Sequence, residues 1–395
     1  MFQTENNEKK YKKGFPAFMR FLYVAHRYHT NQAPIMKNLV EQGHEVCFLA
    51  HHKGATEDYS YVTPVIGGYS PLFQVFNRLY VNVFHRKDSH ANDMRLKLGF
   101  PSGRKIRKIV KEFAPDIMII RERSVYSIVV CRALRKMHIP AILYNQSPVY
   151  EKEIKNDLAH RIVKSQLPKH RITPVYGNEA TGERDENVHF VPFVTELKQA
   201  PSEKKWFAEG HINLLCVAKY EERKNIRMLI EIIGELRSKS DVTLTVVGEC
   251  VDHFEQEYKA SLEKVIRENQ LESCVTLVTN RKYSEIDAYY KRADLFVLPS
   301  TREPASVSQL EAMACSTPAI VSDTNGTECY VEDGVSGALF KDNDKESLKE
   351  AILRCIESRD SLVKMGQCAY ERIEKMCSFT EYFKAIMAIY EDINV

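Results

Sequence analysis

The tightest constraint on the fold is a set of short segments that are apolar almost throughout. "INLLCVAK" (212–219), "VTLTVVG" (242–248), "DLFVLPS" (294–300) and "PAIVSD" (318–323) carry no charge within their apolar runs. A half-exposed strand alternates apolar and polar residues. An unbroken apolar run bounded by helical segments indicates a parallel strand buried on both faces. The intervening stretches at 225–238, 254–268 and 284–292 have helical periodicity, so the second half reads as repeated βα units. The first half uses the same grammar. "RFLYVAH" (20–26), "HEVCFLA" (44–50), "PDIMII" (115–120) and "PAILYN" (140–145) alternate with helices near 32–42, 102–113 and 125–138. Gly43 suits the left-handed position that stops a helix before a strand.

A single core stops growing near roughly 250–300 residues, so 395 residues predict more than one domain. The polar, proline-containing "VTELKQAPSEKKW" offers a junction near 193–205. The expected organisation is a polar extension over 1–19, an α/β domain over 20–195, a second over 205–377, and a terminal helical segment over 378–395. In doubly wound sheets, ligands sit beyond the carboxyl ends of the strands, which places a site between two such domains.

Several classes fall away on composition and motif. The start, "MFQTENNEKKYKKG", lacks an apolar core, and no run of 18 apolar residues occurs, so neither a signal peptide nor a spanning helix is expected. The ten cysteines include no C-x-x-C pair and no His/Cys cluster at metal spacing, which reads as reduced thiols in a cytoplasmic protein. The loop after the first strand, "HRYHTNQA", has no glycine, so a G-x-G-x-x-G dinucleotide site is absent there.

Charge is uneven. Residues 1–200 hold 31 Lys+Arg against 19 Asp+Glu, and the remainder 25 against 34. The basic half is either a set of solvated helix faces or a surface for an anionic partner. The segment 102–113 concentrates this charge. Arg104, Lys105, Arg107, Lys108 and Lys111 surround one apolar face, which suits peripheral attachment to an anionic membrane reaching a lipid-linked acceptor. The aromatic-rich "SPLFQVFNRLYVNVFHRKDSH" (70–90) is expected to pack on the core rather than lie on lipid.

The sharpest local feature is "REPASVSQLEAMACSTPAIVSD" (302–323). Ser306-x-x-Gln309 has capping-box form, so a helix starts at Ser306 with Val307 and Leu310 toward the sheet. Its N-terminus favours a phosphate or diphosphate. Glu303 lies just before it, and Glu311 lies about 7.5 Å along it from Ser306, at roughly 1.5 Å per residue. Carboxylates on both sides of an anion site suit a nucleotide sugar, with hydroxyls at each end of its phosphates. Lys219 at the end of one strand and Lys224 at the next helix start supply cations for the diphosphate.

These residues resemble the donor-binding domain of the retaining glycosyltransferases of family 4, which have the GT-B fold of two facing Rossmann-like domains. The family pattern is Glu-x7-Glu, then "EAMA-x-G-x-P-x-V", then "E-D-G-x-x-G". This chain reads "EPASVSQLEAMACSTPAIVSD" and "TNGTECYVEDGVSGALF". "LLCVAKYEERKN" and "DLFVLPS" match the family's strands before the motif, so the resemblance spans residues 212–375. In the first half it is limited to layout and "LVEQGHEV".

The resemblance implies that Glu303 contacts donor sugar hydroxyls and that Glu311 contacts the ribose. Lys219 and Lys224 would bind the diphosphate, backbone amides at Ser306 and Val307 would hold phosphate and sugar oxygens, and Gly248 would lie at the donor site. It also implies sugar transfer from a nucleoside-diphosphate sugar to a saccharide or lipid-linked saccharide, with retention at the anomeric carbon. No bound metal and no other cofactor are implied, nor any nucleic-acid partner. On the acceptor side, His26, His29 and Asn31 follow the first strand, and Asn145 and Gln146 follow another. Either group orients an acceptor hydroxyl or simply caps a loop. Departures from the pattern are Lys219 for arginine, Ser306 and Ser316 for glycines, and Cys329 for a frequent glutamate beside Glu328. An epimerase or phosphorylase on the same fold, or a non-catalytic nucleotide-sugar binder, are the alternatives.

Overall fold

The computed structural model describes residues 18–53, 59–84, 98–122, 124–146, 165, 167–175, 187–237 and 240–394. Two parallel sheets form. The first contains β1 (Arg20–Ala25), β2 (Glu45–Ala50), β3 (Val65–Ile66), β4 (Ile117–Arg121), β5 (Ala141–Tyr144), β6 (Arg171–Thr173) and β7 (Val188–Phe190), in the order β3-β2-β1-β4-β5-β6-β7. The second contains β8 (Ile212–Val217), β9 (Val242–Gly248), β10 (Val275–Thr279), β11 (Leu295–Leu298), β12 (Ala319–Ser322) and β13 (Gly337–Phe340), in the order β10-β9-β8-β11-β12-β13. Each order reverses once, between β1 and β4 and between β8 and β11. These are the switch points at which doubly wound sheets bind ligands. The architecture is GT-B.

The first strand explains why such segments carry no charge within their apolar runs. Phe21, Tyr23 and Ala25 enter one apolar cluster, while Leu22 and Val24 enter another on the opposite face of the sheet. Successive side chains of a strand point to opposite faces, so burial on both sides demands apolar residues throughout.

The helices of the first half are α1 (Ala33–Glu41), α2 (Pro71–Phe84), α3 (Gly103–Phe113) and α4 (Val125–Leu134). Those of the second are α5 (Ile226–Leu236), α6 (His253–Glu268), α7 (Tyr283–Arg292), α8 (Val307–Met313), α9 (Lys345–Ile356), α10 (Arg359–Met376) and α11 (Phe379–Asn394). α1 ends as Gly43 turns at φ +87°, where a Cβ would be strained. α5 is fixed by the burial of Ile226, Leu229, Ile230, Ile232, Ile233 and Leu236, each contributing about 1.5–3 kcal/mol when removed from water.

α11 packs into the core of the first sheet. Its Tyr382 hydroxyl is 2.9 Å from that of Tyr23, and its Phe383 ring stacks on His44. The backbone N–H of Thr195 donates to the Cys377 carbonyl at 3.0 Å, so the outgoing and returning chains run side by side.

α2 departs from the packing expected of 70–90. Phe73 is buried against Tyr69 and Phe100, but Leu72, Val75, Phe76 and Leu79 stand 60%, 57%, 61% and 55% exposed. The spacing i, i+3, i+4, i+7 places them on one stripe of the helix, and only the Phe73 side meets the core. Residues 85–90 of that segment, and 1–17 of the N-terminal extension, lie outside the described residues.

Candidate functional site

The second sheet's switch point gathers the loops after β8 and β11. Thr301 N–H donates to the Arg223 carbonyl at 3.0 Å, and the Ser308 hydroxyl reaches the Val217 carbonyl at 3.2 Å. Glu303 is buried between them. One of its oxygens, Oε2, accepts from Lys224 Nζ at 2.5 Å and from Arg223 Nη1 at 2.9 Å. Glu303 and Lys224, read from the sequence as meeting different parts of a ligand, meet each other here. The charges neutralise because both side chains are about nine-tenths removed from water.

The backbone on both sides of this pair is strained. Arg302 stands at φ +45° and Asn225 at φ +50°, in the left-handed region. Such positions cost about 1–3 kcal/mol each and cluster at functional sites. The Glu303 loop is buttressed from 325–327. Gly326 N–H donates to the Glu303 carbonyl at 2.8 Å, and a Cβ on Gly326 would lie 2.1 Å from the Pro304 carbonyl oxygen.

Ser306 caps α8, its hydroxyl accepting from Gln309 N–H at 3.2 Å. The reciprocal half of the expected capping box is missing. Ser306 N–H donates to Thr327 Oγ1 at 3.1 Å instead, and the Gln309 amide is held by Asn325 and Thr327. The Ser306 N–H, expected near the donor phosphates, is thus engaged by Thr327 here. Val307 opens the helix and packs partly on the core.

Glu311 occupies a closed cluster. The phenols of Tyr283 and Tyr290 both donate to it, Tyr290 at 2.9 Å, and Lys198 Nζ stands 3.9 Å away. Lys198 also bonds Asp287 at 2.5 Å and lies over both tyrosine rings. Burial draws the Lys198 pKa down, but Glu311 and Asp287 outweigh it and leave it raised. Burial and then Glu311 raise the Tyr283 phenol. Each Glu311 oxygen already holds a donor, so a ribose diol would have to displace Tyr283, the more exposed of the two tyrosines.

Two further expected donor residues have structural neighbours of their own. Lys219 pairs with Glu249 at 3.0 Å and approaches Glu255 at 3.7 Å, carboxylates that follow β9. Gly248 is required by packing. A Cβ there would sit 2.1 Å from the Ala218 carbonyl oxygen and 3.0 Å from the Tyr220 ring. Ser316, in place of a glycine, adopts φ +56° and anchors its hydroxyl on the Gln199 carbonyl at 2.8 Å.

Sequence reading missed Arg223, Lys198, Tyr283 and Tyr290. Arg223 adjoins Lys224 in "EERKN", and the two tyrosines recur at i, i+7 on one helix face. Those were the available signals. Nothing local marked Lys198, which reaches Glu311 only through the fold.

On the first sheet, His26, His29 and Asn31 follow β1, and Asn145 and Gln146 follow β5. The His26 and His29 rings meet edge-on with centroids 6.2 Å apart. Gln146 accepts from Arg121 Nη2 at 3.2 Å and donates to the Tyr144 phenol at 2.5 Å. Asn31 contacts the Tyr144 phenol as well. Among the described residues, no group of three His, Cys, Asp or Glu is arranged to hold a metal, and the ten cysteines are free thiols.

Residues 198–372 match the family described as "Glycosyl transferases group 1". The chain is 29% identical over 172 residues to the amylovoran biosynthesis glycosyltransferase AmsK of Erwinia amylovora, covering 41% of this chain and 40% of that protein. It is 27% identical over 202 residues to the alpha-monoglucosyldiacylglycerol synthase of Acholeplasma laidlawii, covering 51% and 48%. Such matches span about half the length of the curated relatives. In fold, the chain superposes on a glycosyltransferase from Rickettsia africae with a TM-score of 0.70 at 15% identity, over 95% of this chain and 98% of that one. It superposes on Anabaena Alr3699/HepE in complex with UDP with a TM-score of 0.68 at 14% identity, over 95% and 100%.

Proposed function

We propose that the chain is a retaining glycosyltransferase that moves a sugar from a nucleoside-diphosphate sugar to a saccharide or lipid-linked saccharide, in the synthesis of a cell-surface polysaccharide or glycoconjugate. The observation that carries this reading is the buried Glu303 held by Lys224 and Arg223 at the second sheet's switch point, inside the segment that matches the transferase family. The names of the relatives and the UDP in the Anabaena complex support the substrate class.

In this reading the donor diphosphate exchanges places with Glu303. Lys224 and Arg223 turn to the phosphates, and the freed carboxylate accepts the sugar hydroxyls. Two cations beside a departing diphosphate stabilise the charge that develops as the glycosidic bond breaks. No metal enters this scheme. Glu311 takes the ribose once Tyr283 releases it.

The anionic membrane is the second element of the proposal. α3 carries Arg104, Lys105, Arg107, Lys108 and Lys111 around its buried Ile106 and Val110, and Lys105 Nζ donates to the Ile66 carbonyl of the edge strand β3. α2, with its exposed stripe, begins five residues beyond that strand. An apolar stripe flanked by cations suits a helix lying in the headgroup region. No helix among the described residues is long and apolar enough to cross a membrane.

Thermal shift against a panel of nucleotide sugars tests the donor. A ligand at about 100 times its Kd stabilises by about 2.7 kcal/mol. Slow donor hydrolysis that disappears in Glu303→Ala would support catalysis, whereas silence toward every nucleotide would refute the proposal. Flotation with anionic vesicles at low salt tests the surface, and equal recovery of wild type and Phe76→Asp would refute the role of the stripe.

A further inference from the structure

The first sheet's own switch point, between β1 and β4, holds a collection of cationic and imidazole groups that the donor chemistry does not use. Arg121 is the last residue of β4, His26 and His29 follow β1, and His51 follows β2. Arg121 is partly buried, and its hydrogen bond goes to a neutral amide, Gln146 Oε1 at 3.2 Å. Among the described residues it has no carboxylate within ion-pair distance. The adjacent Glu122 is taken by Arg171 at 2.7 Å.

Several ring nitrogens of the neighbouring histidines make no hydrogen bond among the described residues. His26 Nδ1, His29 Nε2 and both ring nitrogens of His51 are buried without a hydrogen bond, and His51 is 1% exposed. Burial first, and then Arg121, hold His26 down to about 4 and His29 to about 3, so both rings are neutral at pH 7. A buried polar atom without a partner costs about 1–3 kcal/mol, and an unpaired cation costs more. Water can satisfy an imidazole nitrogen, but it cannot neutralise a guanidinium. The missing component is therefore an anion, and the switch point is where a doubly wound sheet would receive it.

We propose that this basket binds a phosphate group carried by the sugar acceptor, with Arg121 as its cation and His26 and His29 as flanking N–H donors. The proposal rests on the reading of the chain as a nucleotide-sugar transferase and adds the chemical class of its acceptor. A guanidinium fork engages two oxygens of an anion side by side. Imidazole donors from the β1 loop then serve the remaining oxygens, a demand that phosphate meets and a two-oxygen carboxylate does not.

The test is calorimetric titration of inorganic phosphate into the full chain at low salt, with a nucleoside diphosphate present at saturation to keep the donor site filled. Wild type is expected to bind phosphate, and Arg121→Gln to bind it roughly tenfold or more weakly, the loss of one charge-assisted contact. Nucleotide affinity should be unchanged. Arg121→Gln should also melt no lower than wild type, because it removes a cation that has no anionic partner among the described residues. His29→Gln is the second variant, expected to weaken phosphate by a smaller factor.

Phosphate binding that is absent, or equal in wild type and Arg121→Gln, would overturn the proposal. So would acetate binding as tightly as phosphate. Glucose 6-phosphate and glycerol 3-phosphate compared in the same cell tell whether the phosphate belongs to a saccharide or to a lipid headgroup, and tighter binding of either than of inorganic phosphate supports the site. Failure of the transferase reading has a different signature. No nucleoside diphosphate would bind, while phosphate binding still depended on Arg121.

Discussion

Replacing Glu303 by glutamine separates a structural ion pair from a ligand-exchange site. Glu303 Oε2 is shared by Lys224 at 2.5 Å and Arg223 at 2.9 Å, yet the two cations differ in exposure, 11% for the Lys224 side chain and 40% for Arg223. Arg223 has Glu221 as a second partner at 3.6 Å and can turn to water. Lys224 has neither recourse, so Glu303→Gln strands a buried ammonium. Breaking a buried pair costs about 3–5 kcal/mol, and the residual access to solvent and the glutamine carbonyl put this case near the lower end, about 3 kcal/mol. Lys224→Met should cost less, about 1–2 kcal/mol, because Glu303 keeps Arg223.

The decisive measurement is the nucleotide response. If the diphosphate takes over Lys224 and Arg223 from Glu303, a nucleoside diphosphate replaces the missing carboxylate in Glu303→Gln. Its Kd should then fall by roughly tenfold relative to wild type, while sugar transfer is lost. Melting curves with and without nucleotide, together with calorimetric Kd values, read both quantities. A Glu303→Gln variant that binds nucleotide more weakly than wild type would show that the cations do not exchange partners, and the donor geometry proposed above would be wrong.

Other outcomes follow from the same structure. Tyr283→Phe removes one donor from Glu311 and should lower stability by about 1 kcal/mol while tightening nucleotide binding, as seen by paired melting and calorimetry. Burial, and then Asp323, push the Glu328 carboxyl up to about 7. A folded pKa above the unfolded one favours the protonated fold below about pH 4.5, and that contribution is lost as pH rises toward 7. Glu328→Gln should therefore match wild type at pH 4.5 and melt higher at pH 8. Solvent screening at this partly exposed carboxyl limits the gain to about 1 kcal/mol. Arg302→Gly relieves a left-handed residue and should stabilise by about 1 kcal/mol in chemical denaturation.

The sequence read well wherever a segment was buried on both faces. "VTLTVVG" became β9 with its expected ends, and the core strands of both sheets fell within one to three residues of their apolar runs. Short strands were missed. β3, β6 and β7 are two or three residues each, and runs that brief carry no period. α2 was misjudged because an apolar stripe looks the same in sequence whether a core covers it or solvent does. Periodicity names a face without naming what lies opposite.

The candidate site divides along the same line. Local chemistry marked Glu303, Lys224, Glu311 and the Ser306 cap, since each sits in a stretch whose backbone role follows from its neighbours. Partner choice was decided only by tertiary structure. Lys219 turned to Glu249, Lys224 turned to Glu303, and Lys198 reached Glu311 across 113 positions of chain. A charge interacts with whatever the fold brings within a few ångströms, and that distance is set by the packing of the whole domain. Residue type and spacing determined that this chain would present carboxylates and cations at the ends of parallel strands. The folded sheet decided which of them are paired with one another and which, like Arg121, meet no carboxylate among the described residues.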